Sequence, residues 1–419
     1  MLKKSALANL AINGGPKVRT KPFPERKLLG PEEKAAVNAL FDAAIASGKA
    51  FGYNGPVEEA YCREFTEFMG GGYADAVNSG TTGVYVALRV LNPEPFTEII
   101  VSPITDPGGI MPIVMLNCIP MVADTEPGSY NTGPKQVEEL ISPLTSAILV
   151  AHIGGEPADI KGIIAVAKKT TIPVIEDCSQ APGAKINGKL VGTFGNLAVF
   201  STMFGKHYCT GGQGGVVYTK NEKLYWKARR VSDRGKPFGL PEGSTNCVAS
   251  LNFNLNDLSA AIGRVQLKKL PGIVKKRRVL VAKINAGFKK LKAVSLPPKI
   301  PGAKPSYWFL RIQLNTGRLT CDADTFCDAL NAEGIPGAGR YRHLPHTYAW
   351  YRNRRVFGSS GYPWTSPLYK GNPNRQFPCP NAFAATEAQF NIPVYESWGD
   401  KEAADIVTAF HKVETAFLR

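Results

Sequence analysis

The stretch AVFSTMFGKHYCTGGQGGVVYT runs from Ala198 to Thr219. An apolar, strand-like run ends at Ser201, and a lone lysine, Lys206, follows in a short loop. Four glycines in five positions (211–215) lead into a second apolar run. Two strands joined by so much glycine are compatible with a plain connection whose lysine is solvated, the usual fate of a charge. The neighbouring sequence argues for a different use.

Upstream, apolar runs alternate with helical periodicity. ADAVNSG, EIIVSPI, IPMVADTE, SAILVAHIGG and IPVIEDCSQ read as strands. Between them TTGVYVALRVL, GGIMPIVMLN, PKQVEELI and ADIKGIIAVAKKT read as helices. GNLAVFST and GGVVYTK complete the strand set. Strands interleaved with helices predict an α/β fold with a mostly parallel sheet covered on both faces. Before this region, 30–48 and 57–70 read as helices, and 1–30 as an irregular arm. After about residue 265 the pattern changes to a smaller α+β unit. LVAKINAGFKKLKAV marks a helix, YWFLRIQL a strand, and TCDADTFCDALNAEGI and DKEAADIVTAFHKVETAF further helices. Residues 345–380 are rich in Gly, Pro and aromatics with little periodicity. The expected division is an arm (1–30), a large domain (31–265) and a small C-terminal domain (266–419).

The chain has 419 residues, 44% hydrophobic and 20% charged, which suits a core-forming globular protein. No apolar run approaches the roughly 20 residues of a membrane helix. The N-terminal stretch lacks a clean signal-peptide pattern, so a cytoplasmic location is expected. Eight cysteines show no C-x-x-C pair, and the five histidines are not spaced to join them in a metal site. Free thiols in a reducing compartment are expected, with no metal. The net charge of +16 comes without a nucleic-acid motif. It suits solvated helix faces or the steering of anionic small molecules.

In open parallel sheets, ligands gather beyond the carboxyl ends of the strands. There the sequence places NSGTT (78–82), ITDPGG (104–109), HIGG (152–155), EDCSQ (176–180) and Ser201 with Lys206. Gly80, Thr81 and Thr82 open a helix whose N–H groups suit an anion, although an N-cap turn explains them equally. Asp177 is either a capping acid or a carboxylate beside a protonated ring nitrogen. Lys206 gains a purpose as the amine that forms an imine with an aldehyde cofactor, which requires partial desolvation. Ser201 adds a hydroxyl for a phosphate. Together these describe a site for pyridoxal 5'-phosphate, whose chemistry needs an imine-forming lysine, a partner for its ring nitrogen and a phosphate cradle.

IEDCSQAPGA, GKLVGTFGNLAVFSTMFGKHYCTGGQGGVVYT and SLNFNLNDLSAAIGRVQL resemble the DegT/DnrJ/StrS family of pyridoxal-phosphate sugar aminotransferases. LAINGGPKVRTKPFP and residues 121–160 extend the similarity over nearly the whole chain. The resemblance implies fold type I, with a mixed seven-stranded sheet in the large domain, and a homodimer with shared active sites. It places the internal imine on Lys206, the ring nitrogen on Asp177 and the ring's phenolic oxygen beside Gln180. It places the phosphate among Gly80, Thr81, Thr82 and Ser201, with Asn252 arriving from the neighbouring chain. It implies transfer of an amino group from glutamate or glutamine to a keto-sugar, nucleotide-linked, or a keto-cyclitol. Three departures stand out. Asp106 occupies the position where the family usually stacks an aromatic on the cofactor ring. Asn254 and Leu255 stand where Arg and Met are usual, and Gln213 where Glu is common. His207 follows Lys206 rather than replacing it, which favours transamination over sugar dehydration. A dehydratase and a cofactor-binding regulator without turnover are the alternatives.

Overall fold

The computed structural model describes residues 2–419. The strands of the first half are β1 (Tyr73–Val77), β2 (Glu98–Val101), β3 (Ile119–Val122), β4 (Thr145–Ala151) and β5 (Val174–Asp177). A short hairpin of β6 (Lys185–Ile186) and β7 (Lys189–Leu190) precedes β8 (Leu197–Ser201) and β9 (Gly215–Thr219). Seven of these form one sheet in the order β1-β9-β8-β5-β4-β2-β3. The β2, β3, β4, β5 and β8 pairings are parallel, while β9 runs antiparallel to both β8 and β1. The expected α/β architecture is therefore present, with one reversed strand contributed by the glycine-rich return after Lys206.

The period of two along each strand divides the core between the faces. Ile148, Val150, Ala198 and Phe200 join one cluster, with Tyr61 and Phe65 of helix Pro56–Met69 and Ile160 and Ile163 of helix Ile160–Thr170. Leu149, Ala151, Leu197 and Val199 face the other way, onto helices Gly80–Leu91 and Glu222–Ser232. Both faces are covered, so the strands are mostly apolar, with buried acids at Asp75, Glu98, Glu176 and Asp177 among the exceptions.

A second core lies around β10 (Val294–Ser295), β12 (Phe309–Leu314) and β13 (Gln389–Pro393), while β11 (Ala303–Lys304) joins the small hairpin. Helix Asp257–Phe288 is one 32-residue element joining the two cores. Its Ala260, Leu267 and Leu270 pack with the large sheet, and its Leu280, Ile284 and Phe288 with the second core. The sequence offers a helix entry at Asn256 or Asp257 and a separate helical stretch from Leu280, and the structure joins them into one element through Pro271. An interior proline costs about 3 kcal/mol, and the apolar contacts on either side of it offset that cost. Asn256 caps the helix, accepting from the Ser259 N–H at 2.8 Å.

The arm is fastened to the second core. Leu10 is buried there, Arg19 pairs with Glu402 and Asp405, and Glu333 accepts the N–H groups of Ala11 and Val18. Residues 345–380 contain only short helical turns, yet they fold over the large domain. Trp364 and Tyr369 join its core, Tyr369 donates to Glu98 at 2.8 Å, and Tyr351 donates to the Pro120 carbonyl of edge strand β3 at 3.3 Å. That covering blunts an otherwise open sheet edge.

Candidate active site

The carboxyl ends of β1, β2, β4, β5 and β8 surround a cavity of about 200 Å³. Gly80, Thr81, Asp106, Asp177, Gln180, Ser201 and Lys206 all line it, joined by His152, Met203 and Gln213. Two of the expected residues stand apart. Thr82 spends its hydroxyl in a capping box with Ser79, accepting from the Ser79 N–H at 3.1 Å and donating to Asn78 at 2.8 Å. Asn252 is exposed, outside the cavity of its own chain, and its side-chain oxygen accepts from the Asn254 N–H.

Lys206 is only 7% exposed. Its Nζ lies 3.8 Å from the centroid of the Trp308 ring. Burial lowers its pKa to about 8, against an opposing pull from the negative charges of Asp177 and Asp106. The amine is thus partly neutral near physiological pH, as imine formation requires. The backbone of its loop is held from two sides, by Arg26 and Trp308. Arg26 of the arm donates to the carbonyls of Lys206 at 2.7 Å and His207 at 2.9 Å. Glu396 anchors Arg26 and is shared with Arg277 of the long helix. Trp308 donates its indole N–H to the Gly205 carbonyl at 2.9 Å. His207 points away from the cavity, its Nε2 3.2 Å from the Ser306 carbonyl. Burial, reinforced by Arg277 and Arg26, pushes its pKa well down, so it is a neutral structural group.

Asp177 ends β5 with one oxygen accepting the Ser179 N–H at 2.9 Å, which fixes the carboxylate at the cavity wall. Gln180 accepts from the Gly154 N–H at 2.7 Å and donates to the Tyr341 hydroxyl at 2.9 Å. At the other end, helix Gly80–Leu91 presents its N-terminus to the cavity. A Cβ on Gly80 would stand 2.7 Å from the Ser201 Cβ, so glycine is what lets the helix start approach the end of β8. The Asp106 carboxylate is turned onto its own loop, accepting the Gly108 N–H at 2.8 Å. His152 is the aromatic ring among the lining residues. Its Nδ1 accepts the Ala158 N–H at 3.0 Å, so Nε2 carries the proton toward Glu176 at 3.2 Å.

The family model for the DegT/DnrJ/EryC1/StrS aminotransferase family matches residues 31–411. The chain belongs to that family. It is a pyridoxal-phosphate-dependent aminotransferase. An uncharacterized protein, MJ1066, from Methanocaldococcus jannaschii is 29% identical over 402 residues, covering 93% of this chain and 97% of that protein. The structure of an aminotransferase from Psychrobacter cryohalolentis aligns with a TM-score of 0.80 at 25% identity, over 93% of this chain and 98% of that one. Streptoalloteichus hindustanus TlmJ, also an aminotransferase, shares the fold with a TM-score of 0.77 at 24% identity, over 93% and 96% of the two chains. The cavity of this aminotransferase fits the cofactor chemically. It joins a desolvated lysine, a fixed carboxylate, and a helix N-terminus beside a hydroxyl.

The sequence reading placed His152 in this region through the HIGG segment but gave it no role, and it did not identify Trp308, Arg26 or Tyr341 as parts of the region. The HIGG segment after β4 was the available signal for His152. The other three reach the site from distant segments, through contacts no local pattern encodes.

Proposed function

We propose that this aminotransferase moves the amino group of glutamate or glutamine onto a ketone carbon of a nucleotide-linked sugar or a cyclitol. The observation that carries the reading is the buried, partly neutral Lys206 facing Asp177 in one cavity. When bound, pyridoxal phosphate supplies an aldehyde for the substrate nitrogen and a ring that takes up the electron pair released at the neighbouring carbon. Asp177 would hold the proton on the ring nitrogen. The N–H groups at the start of helix Gly80–Leu91 and the Ser201 hydroxyl would bind the phosphate. Gln180, oriented by Gly154 and Tyr341, would meet the phenolic oxygen. His152 would offer its flat face to the ring in place of the aromatic that Asp106 replaces. Lys206 Nζ would take a proton from the amino-bearing carbon of the donor and, in the return half-reaction, give one to the former ketone carbon of the acceptor, as general base and then acid. Its pKa of about 8 suits both roles near neutral pH.

The working unit in this reading is a homodimer in which Asn252 of each chain reaches the phosphate of the other's cofactor. Asn252 is exposed, and the large apolar side chains of Leu251 beside it and Phe204 on the lysine loop are exposed too. A second copy would cover all three. The enzyme would act in the cytoplasm, where its cysteines, all free in this structure, remain thiols. No described helix is long and apolar enough to cross a membrane. The net charge of +16 favours capture of anionic, nucleotide-linked substrates.

Steady-state turnover with keto-sugar nucleotides and keto-cyclitols, each paired with glutamate or glutamine, tests the reading. The expected result is an amine product in step with the keto acid from the donor. Loss of water from the sugar without nitrogen transfer would overturn it.

A further inference from the structure

The chain's positive charge is not spread evenly. Residues 258–321 hold fifteen of its 50 Lys and Arg and none of its 34 Asp and Glu, so this one segment carries all but one unit of the net +16. Arg264, Lys269, Arg277, Lys283 and Arg311 meet carboxylates supplied by other segments. Among the described residues no carboxylate pairs with the other ten. Lys268, Lys275 and Lys276 stand on the exposed face of helix Asp257–Phe288, and Lys289 and Lys290 follow, exposed, in the turn that ends it. The exposed positions of this helix recur at three- and four-residue steps, so the lysines form one stripe roughly 30 Å long at 1.5 Å per residue. Beside it runs a groove of about 290 Å³, lined by Arg278, Lys299 and Lys304. Lys304 of β11 pairs directly across from Lys185 of β6. Like charges so opposed are destabilising, and a negative surface over them offsets that. None of these residues lines the active-site cavity.

The patch offers charge without the means to read bases. Its free cations are almost all lysines, point charges on flexible stems. Arg278 gives its guanidinium to the carbonyls of Gly183, Lys304 and Pro305, so it has no forked donor left for a base edge. Between the lysines the exposed helix positions carry Pro, Gly, Val, Ala and Asn, with no aromatic ring on which a base could stack. Lysines spread over a helix and two adjoining segments match a sheet of negative charge better than a single strand of it. We infer that this face docks on a bilayer of anionic lipids, its ammonium groups on the headgroup phosphates. The protein would lie on the surface, since no described helix is long and apolar enough to cross it. The inference stands or falls separately from the aminotransferase substrate.

Co-sedimentation of the holoenzyme with vesicles provides the test, phosphatidylcholine alone being set against an equimolar mixture of phosphatidylcholine and phosphatidylglycerol. The protein should bind the mixed vesicles at low salt, bind the neutral ones at least about tenfold more weakly, and be released as added salt screens the charges. Replacing Lys275, Lys276, Lys289 and Lys290 together by glutamine should weaken binding to the mixed vesicles by about a hundredfold, with turnover and the circular dichroism spectrum unchanged. The pairs Lys275→Gln with Lys276→Gln, and Lys289→Gln with Lys290→Gln, should each weaken it about tenfold and serve if the fourfold variant fails to fold. A control with Lys161, Lys168, Lys223 and Lys227 replaced by glutamine removes the same charge from two other exposed helix faces and should bind like the wild type. No binding to the mixed vesicles, equal binding to both kinds, equal loss in patch variant and control, or wild-type binding by a folded patch variant overturns the inference. So does tighter binding to a mixed-sequence nucleic-acid duplex than to the mixed vesicles, governed by the same four lysines.

Discussion

Replacing Lys206 by methionine in the cofactor-free protein should stabilise it, and the gain should depend on pH. Methionine fills a similar volume without a charge. The folded protein lowers the Lys206 pKa from 10.5 to about 8, chiefly by burial. At 1.36 kcal/mol per pKa unit, holding that ammonium in the fold costs about 3 kcal/mol. Below pH 8 the lysine is protonated in both the folded and unfolded chains, so the whole cost is present and the variant's advantage is constant. Between pH 8 and 10.5 the unfolded chain binds the extra proton, and wild-type stability gains on the variant as pH rises. Above 10.5 both forms are neutral and the gap closes. Urea unfolding of both proteins without cofactor, at pH 7, 9 and 10.5, measures it. An advantage of about 3 kcal/mol at pH 7, largely gone by 10.5, is expected. A gap that does not change with pH, or a less stable variant at pH 7, would refute the claim that the fold holds this amine desolvated.

Asp177→Asn should loosen the cofactor and slow proton removal, since breaking a buried ion pair on one side costs roughly 3–5 kcal/mol; cofactor titration and single-turnover rates read both effects. Gly80→Ala should weaken cofactor binding by about tenfold with the circular dichroism spectrum unchanged, because its Cβ would meet Ser201 at 2.7 Å and displace the helix start. Asn252→Ala should weaken cofactor binding roughly ten- to a hundredfold, the value of a hydrogen bond to a charged group. Mixing Lys206→Ala with Asn252→Ala chains should restore activity at limiting cofactor, because one site of each mixed dimer would carry neither defect; no recovery after demonstrated subunit exchange would return Asn252 to its own chain.

The alternation of strand and helix was legible because the buried strands are mostly apolar and the helices between them open on a capping side chain or an early proline. Lys206, Asp177, Ser201 and Gly80 were legible because chemistry in such sheets collects where strands end: Asp177 and Ser201 are the last residues of β5 and β8, Gly80 opens the helix just beyond β1, and Lys206 lies in the loop just beyond β8. Thr82 shows the limit of that rule, since its hydroxyl serves the cap that forms the helix. The long helix was read as two pieces, an entry at Asn256 or Asp257 and a stretch from Leu280, whereas tertiary packing carries it unbroken through Pro271. Residues 345–380 have no period to read; their order comes from aromatic side chains seated on the large domain. Arg26 and Trp308 hold the lysine loop from 180 and 103 residues away along the chain. Each looks like an ordinary surface or core residue until the two domains are in place.

Borohydride reduction of the purified enzyme followed by peptide mapping tests the central claim most directly. The account predicts a visible absorbance band that disappears on reduction, with the cofactor fixed to the peptide carrying Lys206 and absent from Lys206→Ala. Label on another lysine, or Lys206→Ala protein that transaminates at the wild-type rate, would contradict it.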